Sequence, residues 1–217
     1  MQSDDEGESA RPRERRDARE NRERLLSVAK DLFAAQGAEA TPMSEVARAA
    51  GVGQGTLYRH FADKGELCHA LIKEDIAAFT ERLGPVVAGT WAIASPLARL
   101  DTLLTERLRL TESHLPMFAA MDEASGGRRP AGRGPFYTWT HAQIVALLAE
   151  AVAQGEAAPL DVDFTADAIL AAIGPPLYRY QREQLRYSGE RIAAGVRRLF
   201  VEGLRRLDAG GAGSDTP

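Results

Sequence analysis

Between Gln54 and Lys64 the chain gathers side chains built for recognition: Gln54, Thr56, Tyr58, Arg59 and His60, with Lys64 just beyond. A hydroxyl, a phenol and an imidazole can hydrogen-bond to phosphate oxygens, and an arginine can read a guanine edge or pair with phosphate. Gly51, Gly53 and Gly55 alternate just before them. They let the backbone at the start of the segment come close to a surface, where free N–H groups favour an anion. This is the chemistry of binding a polyanion, not of making or breaking bonds.

Such side chains need a support. The spacing predicts a helix over residues 54–60, too short to stand alone in water. Leu57 and Phe61, at i and i+4, are its expected anchors. Ahead of it, Thr41 is the expected cap of a second helix, with Pro42 in its first turn, Glu45 at its positive end, and Val46, Ala47 and Ala50 on its inner face. Ala47 is small enough for a steep crossing, and Gly51 suits the tight turn. Leu25, Val28, Ala29, Leu32 and Phe33 mark a first helix that Gly37 ends. Three helices so arranged predict a helix-turn-helix, whose last helix enters the DNA major groove. A plain solvated helical turn could carry the same polar residues, but an aromatic exposed beside Arg and His has no packing reason.

Charge is distributed to match. The chain has 217 residues and a formal net charge of −4. Residues 11–64 hold 11 Lys/Arg against 8 Asp/Glu, and the rest of the chain 16 against 23. A basic front on an acidic body suggests that the front meets a polyanion. The single cysteine, Cys68, cannot form an internal disulfide and reads as a small buried apolar residue. No apolar run approaches 18 residues, and the first 20 residues lack the apolar stretch of a signal peptide, so a cytoplasmic protein without a membrane partner is expected.

The remaining segments read as helices. Asp63 caps a long fourth helix with an apolar stripe from Leu67 to Leu83, broken at Gly84-Pro85. Ser95-Pro96 starts another. A glycine-rich loop follows Ser125, a helix runs from Phe136 to Gly155, and Asp163 is the expected cap of a further helix kinked at Gly174. The last helix begins at Ser188. The fold class is therefore all-α, about nine helices: a three-helix head plus a helical body. The expected division is a disordered arm over 1–17, a head over 18–64, a body over 65–208 and a flexible tail over 209–217. The arm holds "RPRERR", which could be a DNA-touching basic arm or a solvated tail.

The stretch "LLSVAKDLFAAQGAEATPMSEVARAAGVGQGTLYRHFADKGEL", Leu25 to Leu67, strongly resembles the DNA-binding head of TetR-family transcriptional regulators, above all in its "GVxxGTLYRHFxxKxEL" core. The resemblance covers about residues 20–70. It implies a homodimer that places two recognition helices on a palindromic operator in double-stranded DNA. By motif, Gly55, Thr56, Tyr58 and His60 look like phosphate or groove contacts, Gln54 and Arg59 like base readers, and Lys64 like a backbone contact. Pro42 departs from the family, which often has Ser or Thr there, so Thr41 becomes the expected contact.

The resemblance also implies that the body binds a small-molecule effector and dimerises through its last helices. Arg107, Phe118, Met121, Tyr137, His141, Ile144 and Tyr178 are the candidate ligand contacts, each taken singly reading more readily as core or surface. Ile192, Val196, Leu199, Phe200 and Gly203 form the candidate dimer stripe. The histidines are not spaced as metal pairs, and no phosphate loop or Gly-x-Ser-x-Gly elbow is present, so neither metal, cofactor nor enzyme activity is expected. The leading expectation is a repressor released by its effector. The alternative is the same fold without a small-molecule ligand, controlled by a protein partner.

Overall fold

A computed structural model of the chain describes residues 6–89, 95–125 and 134–206, with side chains over 16–89, 95–121 and 134–206. Trp91, the tail and most of the glycine-rich loop lie outside these residues. The described chain is all-α: α1 (Glu6–Gln36), α2 (Met43–Ala49), α3 (Gln54–His60), α4 (Lys64–Val87), α5 (Pro96–Ser113), α6 (Leu115–Ser125), α7 (Pro135–Ala153), α8 (Val162–Ala172), α9 (Pro175–Glu183) and α10 (Gly189–Arg197), closed by a π turn over Arg198–Glu202. Two compact units result: residues 1–75 with 116–129, and residues 76–115 with 130–217.

In the first unit, α1 starts at Glu6, so residues 6–17 are helical where an irregular arm was expected. Pairs spaced i,i+4, Arg16 with Glu20 and Arg19 with Glu23, support that helix along its charged face. Leu25, Ala29 and Phe33 are buried with Val46, Ala47, Leu57, Phe61 and Leu67 in one apolar cluster. Each fully buried leucine contributes about 2 kcal/mol. Gly37 and Gly51, at φ +88 and +68, end α1 and α2 in the left-handed conformation. Asp63 caps α4 as expected, accepting from the Glu66 amide at 2.8 Å, while the Glu66 carboxylate accepts from the Ala62 amide at 2.7 Å. Met117, Ala120 and Met121 of α6 also pack in this cluster.

The second unit is built around α5. That helix packs on α7 and α10, and α7 packs on α8. Leu97, Leu100, Leu103 and Leu104 meet Ile144, Leu147, Leu148, Ile169 and Ile173 in its core. Ser95 caps α5, and Glu156 reinforces the cap by accepting from Ser95 Oγ at 2.7 Å and from the Leu97 amide at 3.0 Å. α4 does not break at Gly84-Pro85 but continues to Val87. Its end is held by the buried Arg99, which donates to the Val87 carbonyl at 2.8 Å and pairs with Glu150. The cap of α8 is Asp161, which accepts from the Phe164 amide at 3.0 Å, and not Asp163.

Candidate nucleic-acid interface

Two buried side chains fix α3. Leu57 and Phe61 are both fully buried, one turn apart, and the outward residues of the seven-residue helix are left to solvent. Tyr58 is 50% exposed. Gln54, Gly55 and Arg59 are exposed, and Thr56 and His60 are half-buried. The turn that aims α3 is closed by the Val52 amide donating to the Ala47 carbonyl at 3.0 Å, which only the left-handed Gly51 permits.

Gln54, Gly55, Thr56, Tyr58, Arg59 and His60 are thus brought together on one short element. Arg59 is folded back along α3, donating through Nη2 to Thr56 Oγ1 at 2.9 Å and through Nε to the Gly55 carbonyl at 3.3 Å. Burial first, then the Arg22 and Arg59 charges, holds the His60 imidazole below its ordinary value of 6.5. Lys64 Nζ donates to the Glu39 carbonyl at 3.0 Å, leaving further N–H groups for a phosphate.

Thr41 is the exception. It is fully buried, donates to the Gly37 carbonyl at 2.8 Å and accepts from Gln36 at 3.1 Å. Its hydroxyl closes the turn after α1, so it neither caps α2 nor faces outward; Pro42 occupies the cap position without a side-chain bond. Two exposed residues of α2 escaped the sequence reading. Ser44 and Arg48 line a shallow groove with Pro42, Glu45, Ala47, Val52 and Gln54. Their i,i+4 spacing, opposite the buried Val46 and Ala47, was the available signal. Arg22 was also missed; its guanidinium lies over the Phe61 ring, 4.7 Å from the centroid, tying α1 to the end of α3. Cys68 is buried and its thiol is pushed up to about 11 by burial, so it is a packing residue rather than a reactive one.

The candidate ligand residues do not form one group. Met121 packs on the core of the first unit, to which the half-buried Phe118 also belongs. In the second unit, Ile144 is plain core. Tyr178 is buried and donates its hydroxyl to Glu112, which Arg182 also grips at 2.8 Å. Tyr137 donates to Asp167 at 2.8 Å, and His141, stacked on Tyr137, lies 3.4 Å from the same carboxylate. Arg107 is buried under the Phe136 ring.

The candidate dimer stripe divides as well. Ile192 and Val196 are buried in this chain's own core and are not free to meet a partner, because their face of α10 lies on α5. Phe200 packs partly on that core. Gly203 is exposed, but a Cβ there would lie 2.7 Å from the Leu199 carbonyl, so the π turn itself requires the glycine. Leu199 is 66% exposed, and the same unit exposes Phe164, Leu177, Tyr180 and Leu185.

A tri-helical head with a short, anchored and outward-facing third helix defines a helix-turn-helix protein. The model of the bacterial regulatory proteins of the tetR family matches residues 25–71. An HTH-type transcriptional regulator of Staphylococcus aureus is 46% identical over 65 residues, covering 30% of this chain and 35% of that one. The match therefore spans about a third of that relative's length. Among solved structures, a TetR/AcrR-family transcriptional regulator from Thermobifida fusca aligns with 86% of this chain and 100% of its own at a TM-score of 0.60 and 24% identity. A gamma-butyrolactone receptor aligns over 88% of this chain and 90% of its own, at 0.56 and 28%. Residues 25–71 are thus similar to the DNA-binding head of tetR-family regulators, and the fold as a whole is similar to that of TetR/AcrR-family transcriptional regulators.

Proposed function

We propose that this chain is a transcriptional repressor that grips a palindromic operator as a homodimer and lets go when the second unit binds a small-molecule effector. One observation carries the reading: Leu57 and Phe61 are fully buried while Tyr58, beside Arg59 and His60, is half exposed. Sequence that spends its apolar residues on anchoring so short a helix leaves the rest for an outside surface, and a phosphate-lined groove is the surface those groups fit.

Dimerisation is supported by the exposure of five large apolar side chains of the second unit, Leu199, Phe164, Leu177, Tyr180 and Leu185, which a partner surface would cover. Effector control is supported by the similar gamma-butyrolactone receptor, whose name states a small molecule. In this reading the change would be relayed by way of α4, Lys64–Val87. An effector weakens DNA binding only by its preference for one of two states. No helix among the described residues is long and apolar enough to cross a membrane, and a cytoplasmic location accords with a DNA-binding role.

Selection from a randomised duplex pool by the full chain tests this. Inverted repeats with half-sites about one helical turn or a multiple apart are the expected product. Enrichment of no duplex, or of sites lacking two-fold symmetry, would contradict it.

A further inference from the structure

Two arginines are buried on α5, and they are treated differently. Arg99, 5% exposed, has a carboxylate partner in Glu150 and a carbonyl partner in Val87. Arg107, two turns on and 8% exposed, has no carboxylate partner among the described residues. Its Nη1 donates to the Thr111 hydroxyl, and its Nε, like that of Arg99, is buried without a hydrogen-bond partner among the described residues; the difference between the two is the carboxylate. The Phe136 ring covers it at 4.7 Å, and Phe79 meets Phe136 and Trp139 edge-on at 5.4 and 6.0 Å. Elsewhere in this unit Arg82, Arg182 and Arg197 all hold carboxylates.

A buried cation without a counter-charge is costly to a fold. Burial pushes the Arg107 guanidinium down to about 10, so it keeps its charge at neutral pH. With Nη1 on Thr111, the free Nε side is the edge through which a guanidinium takes a carboxylate side-on. The wall beside it is aromatic. Phe136 and Trp139 are half-buried, so that wall is the side that reaches solvent.

Resting on the regulator reading above, we propose that Arg107 binds the carboxylate of an apolar acid, and that this is the chemical class of the effector. Thr111 holds the guanidinium in place, and Phe136 and Trp139 receive the apolar body.

Thermal shift and calorimetry on the full chain, with octanoate, decanoate and 2-naphthoate against their methyl esters and primary amides, test the assignment. Acids are expected to raise the melting temperature and to bind about 10- to 100-fold more tightly than their neutral counterparts, the range of a charge-assisted hydrogen bond. Arg107→Met is expected to erase that preference without lowering the melting temperature of the free protein, since it removes an uncompensated charge. Should that variant fail to fold, Arg107→Lys keeps the charge but not the fork, and is expected to weaken the acids by about tenfold. Equal binding of acids and esters, an unchanged preference in either variant, or no response to any acid at millimolar concentration overturns the proposal. A neutral compound that releases operator DNA overturns it too, yet leaves the regulator reading standing. Arg107-dependent acid binding by a chain that holds no operator supports the site and overturns that reading instead.

Discussion

Lys64 reaches back to the carbonyl of Glu39, 25 positions earlier in the chain, and fastens the start of α4 to the turn that follows α1. The ammonium so placed stands beside α3 with N–H groups to spare. Lys64→Ala is expected to weaken binding to all duplexes alike and to make the slope of log K against log salt shallower by about one, the signature of one lost phosphate contact. Anisotropy titrations across several salt concentrations measure it. An unchanged slope would reduce Lys64 to a tether.

Arg59 is stored against Thr56 and the Gly55 carbonyl and must turn outward to read a base. Replacement by alanine is expected to cost about 1–3 kcal/mol at a matched operator and to relax discrimination at one position of each half-site. Competition binding with single-base operator variants reads both quantities. A loss that is uniform over all variants would make Arg59 a backbone contact.

His60 adds a pH dependence. Its imidazole is held below 6.5 by burial and by the Arg22 and Arg59 charges. In the free protein the neutral ring is favoured, so its contribution to stability is present above pH 6.5 and is lost as pH falls toward the lowered folded value, the unfolded chain taking the proton first. A phosphate reverses the preference by favouring the charged ring. Operator binding should then take up a proton, and affinity should rise as pH is lowered from about 7.5 to about 6. His60→Gln should remove that rise; an identical pH response in both proteins would place His60 away from phosphate.

The exposed and buried members of the last helices predict opposite outcomes. Leu199→Glu should yield a folded monomer by sedimentation, with operator affinity lost along with the second half-site contact. Ile192→Glu should instead unfold the second unit, because an unpaired charge would enter its own core. If Leu199→Glu left the oligomeric state untouched, the partner surface would lie elsewhere.

Gly89 gives a test of the second unit's packing. It sits at φ +70, and a Cβ there would lie 2.8 Å from Arg99 Nη1. Gly89→Ala should cost at least about 1–2 kcal/mol in backbone strain alone, with Arg99 also forced off the Val87 carbonyl. Urea denaturation measures the loss.

The head was legible because each feature has a local cause. Gly51 at the turn, Asp63 as cap, and Leu57 with Phe61 at i,i+4 are all set by neighbours a few residues away. Thr41 was misread because a threonine before a helix suits a cap, and only the fold shows its hydroxyl spent on Gly37 and Gln36. Pro85 was read as a break, but a single missing amide does not stop a helix whose end is held by a distant Arg99. The body was harder for the same reason. Ile192 and Val196 share a stripe with Leu199, and periodicity cannot say that α5 covers the first two and not the third. Arg107 and Arg99 look alike in sequence, and only tertiary contacts reveal that Arg99 has a carboxylate while Arg107 has none among the described residues.

The central claim is that α3 is anchored by two residues so that the others meet a duplex. The most direct measurement is the affinity of the full chain for its selected duplex at rising salt, beside Tyr58→Ala, which removes a solvent-exposed ring and leaves the core intact. The expected result is a strongly salt-sensitive affinity that the variant lowers with no change in melting temperature. An affinity indifferent to salt, or a variant that binds as tightly as the natural chain, would contradict it.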